Sequence, residues 1–279
     1  MNQFGGNWTQ QKIEMVVAYA KAYLIIMNKY PQYKPLYFDG FAGSGDIYKN
    51  EEIDLDIIKG AAVRILEIND PKSFDTYYFV EKDEKNKTEL EKTIKQNFPN
   101  KKTHVVAEDC NRKLVSMAKF LKEHPEYRVL AFIDPYGMAL DWRSIECLKG
   151  LGIDLWILVP TGMGINRLLK KDGKISDAWL EKLERFLGLR KEIILNHFYK
   201  ESKSLTLFGE ETIMEKEENA IAKAGDLYRE RLNTVFKSVS EPFIMKNSTN
   251  SIMYHFIMAS NNNTAIKIAN DVIKPKYKS

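Results

Sequence analysis

Leu36-Tyr37-Phe38-Asp39-Gly40-Phe41-Ala42-Gly43-Ser44-Gly45 runs from an apolar, aromatic stretch through a single acid into small residues. It predicts a buried strand feeding a tight glycine loop. Gly43 and Gly45 can adopt φ > 0, and neither carries a Cβ to obstruct a ligand at the backbone. Asp39 falls at the carboxyl end of the strand, where open α/β sheets bind their ligands. Only two glycines stand at useful spacing, so this is not the G-x-G-x-x-G dinucleotide fingerprint, and no G-K-[ST] follows to make a P-loop. An ordinary strand and turn of an α/β protein is the plain alternative.

Upstream, residues 8–28 predict a helix with Thr9 as N-cap and a Trp8–Ile13 hydrophobic staple. Ile13, Val16, Val17, Ala20, Leu24 and Met27 recur at helical spacing. Downstream, apolar runs at 76–81, 103–107, 129–134 and 153–159 suit strands buried on both faces. Helical stretches at 59–69, 85–97, 112–124 and 141–150 separate them. This alternation predicts a doubly wound, mostly parallel, Rossmann-like sheet. From 164 to 239 the pattern turns helical and charged, with Ser176 capping a helix at 177–187 and a long amphipathic helix at 215–237. Segments 243–245 and 252–259 flank Asn247-Ser248-Thr249-Asn250 and predict two strands joined by a turn, one of them antiparallel to the sheet. A closing helix spans 263–273, and 274–279 reads as a loose basic tail. The expected organisation is an N-terminal helical cap (1–34), an α/β domain (35–163 and 240–279) and a helical insertion (164–239) that meets substrate or partner.

The chain has 279 residues, 44% hydrophobic and 29% charged, as for a globular protein with a real core. Its formal net charge of +4 tolerates a polyanionic partner without demanding one. Cys110 and Cys147 form no C-x-x-C and no histidine cluster accompanies them, which argues against a structural zinc and for a reducing cytosol. The polar N-terminus, with Gly5, Gly6 and Asn7, reads as no signal peptide. Lys21 interrupts the most apolar N-terminal segment, so no membrane span is expected.

The pattern D-x-F-A-G-S-G resembles the S-adenosylmethionine loop of class I methyltransferases, which assigns Asp39, Gly40, Phe41, Ala42, Gly43 and Gly45 to the cofactor. The later strand ends carry acids in the matching order. Glu81, in Val80-Glu81-Lys82-Asp83, can accept ribose hydroxyls. Its long spacing from Asp39 calls for an insertion near 47–56 in the first crossover. Asp109, in Glu108-Asp109-Cys110-Asn111, can accept from an adenine amine, with Cys110 against the ring. Solvated strand ends are the bland alternative for both acids. The fourth strand ends Asp134-Pro135-Tyr136-Gly137, where amino-directed nucleic-acid methyltransferases carry [DNS]-P-P-[YFW]. Asp134 can accept from a target amine and Tyr136 can stack on a flipped base. The second proline is missing, and a capped turn is the simpler reading. After the fifth strand, Asn166 and Arg167 open a helix, with Arg167 available to a phosphate or to a neighbouring acid.

W-T-x-x-K, F-D-G-F-A-G-S-G, F-V-E-K-D, E-D-C-N, F-I-D-P-Y-G-M and L-V-P-T-G-M-G-I-N-R together resemble the three-Cys-motif partner protein family (TcmP). Leu207-Phe208-Gly209, Tyr228-Arg229-x-Arg231-Leu232 and Tyr254 to Ser260 extend the resemblance over nearly the whole chain. It implies a methyltransferase-like fold encoded beside a protein with a C-x-x-x-C-x-x-C motif, which this chain lacks. It also implies that Asp39, Gly43, Glu81 and Asp109 hold the cofactor and that Asp134, Tyr136 and Arg167 face the substrate. Lys12 and Trp8 could cover the pocket, but a solvated lysine and a packed staple are the preferred reading.

The leading expectation is an S-adenosylmethionine-dependent methyltransferase acting on DNA or RNA, at an exocyclic amino group, with Asp134, Pro135 and Tyr136 at the catalytic position and Tyr136, Asn166 and Arg167 toward the substrate. It needs no metal. Two alternatives stand beside it. One is a partner of the three-cysteine protein that keeps the fold without catalysis; the other is a methyltransferase for a small molecule or protein. Oligomeric state and methyl acceptor are open at this level.

Overall fold

The apolar run at Leu36 becomes strand β1 (Lys34–Asp39), and every later strand expected of the sheet forms: β2 (Thr76–Val80), β3 (Thr103–Val106), β4 (Tyr127–Ile133) and β5 (Ile153–Val159). The computed structural model describes residues 7–45, 60–206 and 209–274. Helices α1 (Asn7–Asn28), α2 (Ala61–Leu66), α3 (Glu84–Asn97), α4 (Cys110–Glu123) and α5 (Trp142–Glu146) alternate with these strands. Asp83 and Asp109 start α3 and α4 by accepting from the backbone N–H groups of Asn86 (2.9 Å) and Arg112 (3.3 Å). Thr9 is not the cap expected of it, because α1 already includes Asn7. The crossover insertion foreseen near 47–56 and most of the basic tail lie outside the described residues.

Past β5 come a π-helical turn (Thr161–Ile165), α6 (Asn166–Leu168), α7 (Asp177–Leu187) and α8 (Lys191–Phe198). The region expected to be wholly helical then departs from that expectation. Strands β6 (Tyr199–Thr206) and β7 (Gly209–Lys216) form an antiparallel hairpin, and the helix foreseen from 215 begins only as α9 (Ala220–Asn233). Charged residues fill much of the hairpin, so its apolar periodicity is weak; Lys200 pairs opposite Glu215 across it. The chain closes with β8 (Ser238–Val239), β9 (Phe243–Lys246), β10 (Ile252–Ser260) and α10 (Asn263–Ile273).

The main sheet has the order β3-β2-β1-β4-β5-β10-β8, with β9 also pairing β10. β1 to β5 are parallel neighbours, β10 runs antiparallel to β5, and β8 and β9 run antiparallel to β10. Strand order reverses between β1 and β4, so the crevice for a ligand opens above the carboxyl ends there. Parity along each strand decides which of two cores a side chain enters. Leu36, Phe38, Ala131, Ile133 and Ile157 meet α4, α5, α7, α8 and α9. Tyr37, Phe79, Phe132, Trp156 and Phe256 meet α1, α2, α3 and α10. Asp134 continues the parity of Phe132 and so ends on the face that carries α1. Among the described residues, no helix is long and apolar enough to cross a membrane.

Candidate cofactor cleft and acceptor site

The loop after β1 is stitched to the strands beside it. Gly40 N–H donates to Phe132 O (3.0 Å), Ala42 N–H to Val80 O (3.0 Å), and Gly60 N–H to Gly45 O (2.9 Å). Gly43 and Gly45 hold φ of 64° and 87°, the left-handed conformations foreseen for them. At Gly40 the constraint is space: a Cβ there would stand 2.6 Å from both Cys110 Sγ and Ile133 Cδ1. That close approach lets the β1 and β3 ends share one floor.

A cleft of about 560 Å³ opens above this floor, within the usual range of about 300–1,000 Å³ for ligand sites. Gly40, Phe41, Glu81, Asp109, Cys110 and Tyr136 line it, all of them singled out in the sequence. Glu81 is buried, and its carboxylate accepts from Gly43 N–H and Asp83 N–H, both at 2.9 Å. Each oxygen keeps a further lone pair for a diol. Burial pushes the Cys110 thiol well up, with Asp109 and Asp39 adding to the effect, so it serves as an apolar contact rather than a thiolate. The far wall is α7, through Ala178, Glu181, Lys182 and Arg185. Arg185 grips Asp141 with two nitrogens at 2.8 and 3.1 Å.

Asn111 has a role the sequence reading did not assign. Its amide donates to Ala139 O (3.0 Å), and its carbonyl accepts from Asp141 N–H (2.8 Å) and Ser144 Oγ (2.9 Å). It thereby fastens the start of α4 to the loop after β4, and both segments line the cleft. Only the string Glu108-Asp109-Cys110-Asn111 drew attention to it.

Asp134 lies on the other side of Tyr136. Lys12, reaching from α1, is buried and forms an ion pair with Asp134 Oδ2. The preferred reading of Lys12 as a solvated lysine is therefore overturned. The side chain of Trp8 falls outside the described residues. Tyr136 is 70% exposed and meets Phe41 edge-on, with ring centroids 6.2 Å apart. Asp39 does not line the cleft. It is buried beneath the loop, accepting from Phe41 N–H (3.1 Å) and Tyr37 OH (3.4 Å). Burial pushes its carboxyl up to about 7, and Asp134 adds to this against the pull of Phe41 N–H, Tyr37 and Lys12.

Ala42, Gly43, Gly45 and Pro135 also stand outside the cleft lining, as do Asn166 and Arg167. The last two sit on α6, where Lys216 of the hairpin donates to Asn166 O (3.0 Å) and the Arg167 side chain is exposed. The π-helical turn before them is seated on β10. A Cβ on Gly162 would strike Ile252 O at 2.0 Å, and Thr161 Oγ1 shares a buried 2.8 Å hydrogen bond with His255 Nδ1.

The lining suits S-adenosylmethionine in two respects: a carboxylate with spare acceptor capacity for a ribose, and an acid beside an apolar thiol for an adenine. The outer residues carry both signs, Glu108, Asp141 and Glu181 with Lys82, Lys182 and Arg185. Among the described residues no cluster of three or more potential metal ligands occurs. The sheet order, the glycine loop after β1 and the antiparallel β10 define a class I methyltransferase-like fold. No family model and no curated protein matches the chain. Among solved structures, protein LPL1258 from Legionella pneumophila is 15% identical, with 98% of this chain and 93% of that one covered and a TM-score of 0.50, and it shares the fold. Trm1 from Pyrococcus horikoshii, in complex with S-adenosyl-L-methionine, is 10% identical over 96% of this chain and 72% of its own, at a TM-score of 0.39. A putative methyltransferase, yhhF from Escherichia coli, is 13% identical over 72% and 86%, at 0.29. These last two likenesses are slight.

Proposed function

We propose that this protein is an S-adenosylmethionine-dependent methyltransferase that acts on an exocyclic amine of a nucleic-acid base. The observation that carries the reading is the continuity of the cleft with the acceptor side: Tyr136 lines the cleft, rests on Phe41, and is two residues from the Lys12–Asp134 pair. The bound cofactor would supply an electrophilic methyl group on sulfonium. Glu81 would take the ribose hydroxyls, and Asp109 with Cys110 the adenine.

Tyr136 offers an exposed ring on which an extruded base can stack, worth about 1–3 kcal/mol. Lys12 holds Asp134 by Oδ2, which leaves Oδ1 to accept an N–H of the target amine. That hydrogen bond turns the nitrogen lone pair toward the methyl carbon. On transfer of the methyl group to nitrogen, Asp134 or water would take the proton that the amine gives up. Positioning and the acceptor supply the rate. By family resemblance a three-cysteine-motif protein is the proposed partner, and the two unclustered cysteines make a reducing cytosol the proposed compartment.

Asp134→Ala tests the assignment. Methyl transfer from labelled cofactor to pooled RNA and DNA should fall about 100-fold or more, while S-adenosylhomocysteine binds the variant as it binds the wild type. Retained turnover would overturn the role of Asp134. The engagement of Asp134 by Lys12 also favours a second reading, a methyltransferase fold that serves its partner without chemistry. Under that reading, a well-folded protein would bind no cofactor.

A further inference from the structure

The face of the sheet that carries α4 is not fully covered. Leu114, Met117, Ala118 and Leu121 seat α4 on its core, while β3 is the outer strand of the sheet. Between them lies a second depression of about 340 Å³. Its floor is aromatic. Phe38 and Tyr78 lie parallel within 8°, ring centroids 5.9 Å apart, and Tyr78 is only half-buried. Phe120 against Tyr127, at 4.9 Å, closes one end. Lys102 and His104 stand exposed on the β3 rim, half-buried Lys113 lines the α4 rim, and no carboxylate is among the lining residues.

The depression adjoins the cofactor cleft. Lys113 pairs with Glu108 at 2.6 Å, and Glu108 lines the cleft. One ion pair thus marks the boundary between the two spaces. An aromatic floor takes the π-face of any base, and cations at the edge take the flanking phosphates; this is how single strands are held without regard to sequence.

We propose that this slot holds an unpaired base of the nucleic-acid substrate, away from the target base, with its phosphates at the exposed Lys102 and His104. The proposal rests on the nucleic-acid reading above and extends it to single-stranded or locally opened substrate.

Fluorescence anisotropy with a labelled single strand of about ten nucleotides tests it. Two variants keep the core intact: Lys102→Glu with His104→Glu at the exposed rim, and Ser116→Trp, which fills the slot from the exposed side of α4. Each should weaken strand binding about tenfold. The rim variant should also flatten the salt dependence, and a duplex of the same sequence should bind more weakly than the strand. A wild type that ignores the strand, variants that bind it as the wild type does, or a duplex bound as tightly would each overturn the slot. S-adenosylhomocysteine titration separates the two claims. Its binding should survive in both variants, so a failed slot with cofactor bound leaves the methyltransferase reading standing. Absent cofactor binding defeats that reading while the strand result still judges the slot.

Discussion

Asp39 gives its carboxyl oxygens to Phe41 N–H and Tyr37 OH with almost no access to water, and its carboxyl is pushed up to about 7. The charged form is therefore disfavoured in the folded protein. Between about pH 4, where an unfolded aspartate ionises, and about 7, the folded state keeps a proton that the unfolded chain has released. Stability from this group is full below that window and falls as pH rises through it. His255 acts in the opposite sense. Burial lowers it to about 4, so stability is lost as pH falls from about 6.5. The two effects oppose, and only a variant isolates one. Asp39→Asn should lose less stability than the wild type between pH 5 and pH 8, measured as Tm at matched ionic strength. Parallel curves would contradict this account of Asp39. Lys12 shows where residue-level reading stops. Nothing in its position on α1 sets it apart from Lys21, and only the parity of β4 places Asp134 within its reach.

At the scale of elements, the loop after β1 was legible because its glycines and acid have few other uses. Strands β1 to β5 were legible because short apolar runs, rich in β-branched and aromatic residues, alternate with longer helical stretches. The wall opposite them was not. Helix α7 itself was expected, yet nothing in its sequence says that it faces the cleft; Trp142 and the chain reversal after α7 decide that. Gly188 ends α7 in the left-handed conformation, with φ of 65°. A Cβ there would stand 2.1 Å from the Trp142 ring. Gly188→Ala should therefore destabilise the fold by about 1–3 kcal/mol, read as a clear fall in Tm with the cleft wall loosened. An unchanged Tm would show that α7 is not held this way. The β6–β7 hairpin escaped the sequence reading because its charged stretches lack the alternation of a half-buried strand, and the pairing itself specifies it.

Across the whole molecule, one sheet with two cores sets acids from successive strand ends around a common crevice. Asp39, Glu81, Asp109 and Asp134 were found in order along the chain with separate roles, but the sequence placed Asp39 against the cofactor rather than beneath its loop. Glu81 and Asp109 face the cleft, Asp39 supports the loop from below, and Asp134 turns toward α1. Parity aligns Asp39, Glu81 and Asp134 with Tyr37, Phe79 and Phe132 on one face, so the division comes from the partner each carboxylate finds: Phe41 N–H and Tyr37 OH for Asp39, Gly43 and Asp83 N–H for Glu81, and Lys12 for Asp134. The 560 Å³ cleft between the strand ends and α7 is the proposed cofactor site. Calorimetric titration with S-adenosylhomocysteine tests it most directly, beside Ala178→Trp, which fills the cleft from an exposed position on α7. The account predicts micromolar binding by the wild type and at least about tenfold weaker binding by the variant at unchanged Tm. A well-folded wild type that binds nothing, or a variant that binds equally well, would contradict it.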